Sequence, residues 1–262
     1  MEKKFICLLP VAPLRVDATS RSEMVTQLLF GEIGEILEEQ GEWCFVKLYF
    51  DKYIGWVNRL QIERISDDFY NTLVSEKSYV TGDILFPIQC TTTGVEMYLP
   101  MGSRIWLNQS GFFKIFDFSF SYSGVLSDGQ IGQTSRHNVV LCALRFLSAP
   151  YLWGGKTILG IDCSGLTQLV YGQVGVLLPR DARYQALIEG RRLDFLSEAA
   201  MGDLAFFENE EGVITHVGIL DGEGHVVHAS GKVRIDQIDH QGIFSNSESR
   251  YTHRFRMALS VL

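Results

Sequence analysis

The chain is organised around residues 151–170, YLWGGKTILGIDCSGLTQLV. Gly154, Gly155 and Gly160 let the main chain bend tightly ahead of the triplet Asp162-Cys163-Ser164. After the triplet, Leu166, Leu169, Val170 and Val174 recur at helical spacing, so a helix starts at or next to Cys163. The unpaired N–H groups and positive end of a helix N-terminus favour thiolate over thiol, which makes Cys163 a candidate nucleophile that should alkylate faster than the other cysteines. A lone cysteine is more often a small core side chain, but the polar neighbours and the glycine-rich approach argue against that here.

Two histidines downstream strengthen the case. His216 in ITHVGIL and His228 in HVVHASG each lie in an apolar strand pattern, on either side of the turn Asp221-Gly222-Glu223-Gly224. In an antiparallel hairpin the two can face one side of the sheet. A cysteine nucleophile needs an imidazole to take its proton, and that imidazole needs a polar group to fix its tautomer. Cys163, His216 and His228 supply one of each. The same three residues could be zinc ligands, but their spacings lack the short paired pattern of zinc sites and no fourth acidic ligand stands out. No metal and no cofactor are expected.

The chemistry sits in the last of three stretches. Residues 1–66 read as short strands joined by tight turns, the pattern of a small barrel. Residues 75–130 partly repeat it, with PMGSRIWLNQSGFFKIFDF echoing GEIGEILEEQGEWCFVKLYF. The aromatics Phe112, Phe113, Phe116, Phe118 and Phe120 of the second stretch read as core and contact residues more readily than as a ligand platform. From 135 the period changes. Val139, Val140, Ala143, Leu144 and Leu147 mark a helix that Pro150 stops. Behind the Cys163 helix, MGDLAFFEN, ITHVGILDGEG and HVVHASGKVRID read as three antiparallel strands.

Charge and cysteine usage narrow the partners. A formal charge of −8, with no dense Lys/Arg run, disfavours nucleic acid and anionic membrane surfaces. Five cysteines without paired spacing are not a disulfide framework, and the apolar run near the N-terminus is broken by Pro10. These features predict a cytoplasmic protein, although a chain trimmed of a leader would read the same.

The segments APLRVDATSRSEMVTQLLFGE, GEWCFVKL and YIGWV resemble a bacterial SH3 domain of the kind attached to cell-wall hydrolases. YLWGGKTILGIDCSGLTQLVY, LPRDA, MGDLAFF, ITHVGIL and HVVHASG resemble, in that order, the NlpC/P60 family of papain-like cysteine peptidases. The resemblance implies an α+β fold: a papain-like catalytic domain over 135–262, preceded by two SH3-like β-barrels. It implies Cys163 as nucleophile, His216 as general base and acid, and His228 as the residue orienting His216. Tyr151, Asp162, Ser164 and Asp181 match substrate-lining positions, with Asp162 suited to hold an ammonium group. Glu23 and Tyr53 of the first barrel resemble residues that close around a free L-alanine amine. The family often reads PRDAS where this chain has Arg183. The implied reaction is hydrolysis of the γ-D-glutamyl–diamino acid bond in peptidoglycan stem peptides with a free N-terminal L-Ala, which is muropeptide recycling. Alternatives are a DL-endopeptidase acting on the intact wall, a non-catalytic muropeptide-binding module, and an acyltransferase on the same core.

Overall fold

A computed structural model of the chain describes residues 2–107, 112–127 and 135–262, with no description of the Phe112 side chain. Residues 1–129 and 130–262 form two compact units.

In the first unit the alternation read from the sequence becomes burial. Every second side chain of Val11–Arg15 is buried, and the same holds along most of Trp43–Leu48, because a pleated strand points successive side chains to opposite faces. Seven antiparallel strands assemble in the order Met24–Leu29, Val11–Arg15, Ile54–Asn58, Trp43–Leu48, Ile33–Gln40, Lys4–Ile6 and Glu63–Ile65. They form the SH3-like barrel, which encloses Phe5, Leu14, Leu28, Val46 and Val57. Each such side chain contributes about 1.5–3 kcal/mol by leaving water.

The stretch that follows, to which the periodicity assigned no element, begins with the helix Asp67–Ser75, capped by Ser66. Beyond it lie a four-stranded sheet (Glu96–Pro100, Leu85–Cys90, Phe118–Ser121, Phe112–Ile115) and a three-stranded one (Arg104–Ile105, Tyr79–Thr81, Leu126–Ser127). Their core is continuous with the barrel: Phe30 and Ile33 pack with Ile88, Leu99, Phe113 and Phe120. The Phe30 ring meets Phe113 and Phe120 edge-on at 6.0 and 5.7 Å. Phe113 and Phe120 are thus core residues, whereas Phe116 and Phe118 stay about two-fifths exposed. The polar turn expected after Trp106 and the boundary expected between 130 and 135 lie outside the described residues.

The second unit is α+β. Its antiparallel sheet runs in the order Arg191–Leu193, Arg250–Ser260, Leu204–Glu208, Ile214–Leu220, His225–Ser230, Lys232–Ile238 and Gly242–Ser245, and the last strand pairs back onto Arg250–Ser260. Helices Ser135–Leu144 and Cys163–Gly172 pack on the two central strands that carry the histidines. The segment HVVHASGKVRID, read as one strand, is two. Gly231 takes a φ of +68°, which a side chain resists, and turns the chain back between Ser230 and Lys232. Among the described residues no helix is long and apolar enough to cross a membrane. All five cysteines are free thiols.

Candidate active site

The turn into the Cys163 helix is built on Asp162. The helix runs Cys163–Gly172 with Asp162 as its N-cap, the carboxylate accepting the Gly165 N–H at 2.7 Å and the Gly154 N–H at 2.8 Å. Arg180, 2% exposed, reaches the same carboxylate with contacts of 3.0 and 2.6 Å and donates to Ser164 Oγ at 2.8 Å. Gly165 must lack a side chain here, since a Cβ would stand 2.4 Å from Gly155 O and 3.0 Å from Asp162 Oδ1. A buried, two-point guanidinium–carboxylate pair therefore fixes the turn that presents the thiol. The ammonium-holding part that the resemblance gives Asp162 meets competition: Arg180 and two backbone amides already occupy its acceptor sites.

Cys163 departs from expectation in its ionisation. Its side chain is 6% exposed, and the thiol is pushed up to about 12. Burial is the main cause and the Asp162 charge adds to it, while the N–H groups of Val217 and Ser164 and the Arg180 guanidinium pull the other way. A helix terminus supplies at most about 2 kcal/mol in partly buried geometries, less than withdrawing a thiolate from water costs here. The resting group is a neutral thiol, so rapid alkylation through a pre-formed thiolate no longer follows. It meets the His216 strand at the N–H of Val217, one residue on, rather than through a hydrogen bond to the imidazole.

The two histidines come together as the strand pattern requires. Gly218 pairs with His228, so His216, two residues earlier on the same face, is its diagonal neighbour. A Cβ on Gly218 would stand 2.4 Å from Val226 Cγ2 and 3.0 Å from His228 Cβ, so the strand takes a glycine at that point. His216 Nε2 lies 2.9 Å from His228 Nδ1, and His228 Nε2 lies 3.0 Å from Asp236 Oδ2. Arg234 holds Asp236 through Nε at 2.7 Å and Nη2 at 2.8 Å. Burial works to raise the Asp236 carboxyl, but the hydrogen bonds and charges of His228 and Arg234 outweigh it and hold the group below the usual carboxylate range.

That order assigns the protons. An ionised Asp236 can only accept, so His228 carries its proton on Nε2 and accepts at Nδ1. His216 must then donate from Nε2, which leaves a lone pair on its Nδ1. The His216 ring is neutral: burial first, then the neighbouring His253 and His228, hold it well below its ordinary range.

Asp236, Arg180 and His253 were not singled out from the sequence. Asp236 is buried while its neighbour Ile235 is 43% exposed, the reverse of what the apolar alternation of the strand reads, so the sequence carries no signal for it. Arg180 stands in the LPRDA motif but charge alone reads as surface. His253, on the strand Arg250–Ser260, stacks on His216 with ring centroids 4.1 Å apart and an interplanar angle of 26°. Burial is the main cause that pushes it down to about 4.

Tyr151 lines a cleft of about 290 Å³ together with His216, Ser230, Gly231 and His253. Burial above all, with the neighbouring Cys163 and Asp162 adding to it, pushes its phenol up to about 12, so it remains an O–H donor. Ser164 is drawn into the Asp162–Arg180 network. Asp181 precedes the short helix Ala182–Gln185 and lies 3.4 Å from Arg183 Nη2. Glu23 and Tyr53 belong to the N-terminal unit, Glu23 exposed and Tyr53 half-buried against the barrel core. Each precedes a strand flanking Val11–Arg15, on the same side, so both mark one end of the barrel.

Residues 148–251 match the NlpC/P60 family, and residues 14–62 match the bacterial dipeptidyl-peptidase SH3 domain. The chain is 29% identical to dipeptidyl-peptidase 6 of Lysinibacillus sphaericus, over 90% of this chain and 92% of that protein. It is 29% identical to the γ-D-glutamyl-L-lysine dipeptidyl-peptidase of Bacillus subtilis, over 82% of this chain and 75% of that protein. The crystal structure of an NlpC/P60 family protein from Bacillus cereus ATCC 10987 superposes with a TM-score of 0.82 at 19% identity, covering 99% of each chain, which shows a common fold. The buried cysteine at a helix start and the paired-histidine hairpin both lie within residues 148–251, and the chain is a hydrolase with an NlpC/P60 family domain preceded by a bacterial dipeptidyl-peptidase SH3 domain.

Proposed function

We propose that the protein is a cysteine peptidase that hydrolyses the γ-D-glutamyl–diamino acid bond of peptidoglycan stem peptides bearing a free N-terminal L-Ala, and that it serves muropeptide recycling in the cytoplasm. The reading rests above all on the relay Asp236–His228–His216, which leaves His216 Nδ1 as the acceptor on the strand whose next N–H faces the thiol. The names of two relatives, a dipeptidyl-peptidase and a γ-D-glutamyl-L-lysine dipeptidyl-peptidase, support the substrate class. Its partners are small peptidoglycan-derived peptides, with no role for nucleic acid or a membrane. In this proposal residues 1–66 and 75–130 are SH3-like and 135–262 are catalytic.

Cys163 attacks the γ-carbonyl carbon while its proton passes to His216 Nδ1, so that thiol deprotonation and attack proceed together from a neutral pair. The imidazolium so formed is stabilised through His228 by the Asp236 carboxylate. The Cys163 backbone N–H at the helix start has no intrahelical acceptor and can receive the oxyanion, with the Tyr151 O–H as a second donor. His216 then protonates the departing diamino acid amine, and water, deprotonated by the same imidazole, cleaves the thioester. Asp181 and Ser164 line the acyl side, and Glu23 and Tyr53 meet the free amine.

The test is cleavage of L-Ala-γ-D-Glu-diamino acid tripeptide, followed by mass spectrometry, for wild type and Cys163→Ala. Wild type should release the L-Ala-D-Glu dipeptide, and the alanine variant should release none while melting at an unchanged temperature. Comparable cleavage by both would remove Cys163 from the chemistry and the proposal with it.

A further inference from the structure

The relay contains one imidazole more than proton transfer needs. His253 adds to His216 and His228 a third ring nitrogen, and one ligand atom from each of the three lies within 4.8 Å of the others. We propose that these histidines form a binding site for a divalent transition metal, zinc being the expected occupant, and that the bound ion switches the hydrolase off.

The donor set suits the ion. Zinc takes neutral imidazole nitrogens at about 2.0–2.1 Å, which places tetrahedral ligand atoms about 3.3 Å apart. Starting from at most 4.8 Å, a modest turn of the half-buried His253 ring achieves this. Histidine ligands are held by a hydrogen bond from their second nitrogen, and two of the three already have one. His228 Nε2 lies 3.0 Å from Asp236 Oδ2, and His253 Nδ1 lies 2.9 Å from Thr252 Oγ1, so His228 Nδ1 and His253 Nε2 are the nitrogens left for an ion. The cleft lined by Tyr151, His216 and His253 gives entry and room for water as the fourth ligand. His253 lies beyond residues 148–251, so the third ligand is not part of the matched family region.

Inhibition follows from the tautomer. Without metal, the His216 proton sits on Nε2 and Nδ1 can accept from the thiol. A metal on Nε2 moves that proton to Nδ1, the ring staying neutral and no proton being lost, so Nδ1 becomes a donor and can no longer deprotonate Cys163. This consequence rests on the peptidase reading; the binding itself does not.

The experiment uses the full chain, stripped with chelator and titrated with Co²⁺ for its visible d–d bands and with Zn²⁺ in competition. Wild type should bind one ion per chain with a tetrahedral cobalt spectrum lacking thiolate charge transfer, and Cys163→Ala should bind equally well. His253→Phe, which keeps the stacked ring, should lose affinity for Zn²⁺ tenfold or more, and His253→Gln serves if the phenylalanine variant does not fold. In tripeptide hydrolysis Zn²⁺ should inhibit wild type, with full recovery on adding EDTA. Loss of binding in Cys163→Ala would place the ion on the thiol, and unchanged binding in both His253 variants would place it elsewhere; either result overturns the site. Stoichiometric binding without inhibition would overturn the switch.

Discussion

Under the proposed function a single carboxylate, that of Asp236, decides which nitrogen of His216 is the base, although it lies two imidazoles from the thiol. Asp236→Asn keeps the shape but offers an amide N–H as well as an oxygen, so His228 can turn its tautomer around and His216 loses its fixed donor. The expected result is a fall in kcat of on the order of tenfold or more with KM nearly unchanged, a split that a merely structural role would not give. His216→Ala should abolish turnover, while His228→Gln, able to accept the imidazole N–H, should keep part of it; equal loss in both would give His228 a different part. The depressed His216 makes a further prediction for pH. Because the ring stays neutral below its ordinary value of about 6.5, kcat/KM should remain level from pH 8 through 6.5 and fall only in more acidic buffer. Stability moves in the same direction. Above about 6.5 His216 and His253 are neutral folded or unfolded; below it the unfolded chain takes up protons that the folded one refuses until about 4 for His253. Denaturant midpoints measured with chelator present should therefore decline as pH falls through this window. Cys163, His216 and His228 were legible because glycine-rich turns and strand alternation mark such positions. Asp236 was not, since an acid in an alternating strand reads as solvent-facing until the partner strand's histidine is known.

The Cys163 helix and its anchor form one element, and the anchor carries much of its order. Arg180→Met would leave the buried Asp162 carboxylate facing two backbone amides without its guanidinium, a change that typically costs about 3–5 kcal/mol. Thermal melts should show a clear drop for Arg180→Met and a smaller one for the double variant Asp162→Asn/Arg180→Met, which removes both charges; equal drops would mean that charge burial is not what the pair balances. Gly218→Ala, which would press hardest on the buried Val226 and also on His228 Cβ, should lower both the melting temperature and the activity. Helical periodicity after Cys163 revealed this element, with its start at or next to Cys163. The rest of the sheet was less readable. Arg250–Ser260 carries charged and aromatic residues at most of its positions before Met257, so no alternation marks it, yet it pairs with three strands and brings His253 to the site. Strand order depends on pairings remote in sequence, which local pattern does not encode.

The whole chain, rather than its catalytic unit alone, is what the free-amine preference tests. Glu23 and Tyr53 stand at one end of the N-terminal barrel, on a molecule of formal charge −8, where an exposed carboxylate is unremarkable by composition. Under the proposed function Glu23 has a specific part: it accepts the L-alanine ammonium of the tripeptide. Acetylating that amine removes the positive charge that the carboxylate would meet and adds bulk at the same point. Loss of a charge-assisted hydrogen bond together with the steric cost of the acetyl group amounts to on the order of a few kcal/mol, so kcat/KM for the acetylated tripeptide should fall by about a hundredfold or more. Glu23→Gln keeps the side-chain shape but removes the charge. It should slow cleavage of the free tripeptide while hardly changing the acetylated one, so the ratio between the two substrates shrinks. A glutamate with no part in recognition would leave that ratio where it was. The measurement is kcat/KM on both tripeptides for both enzymes, with Cys163→Ala as the blank. Equal wild-type rates on the two substrates would sink the amine requirement, and with it recycling of free peptides, because stem peptides still joined to the sugar through the same nitrogen would then be accepted as well.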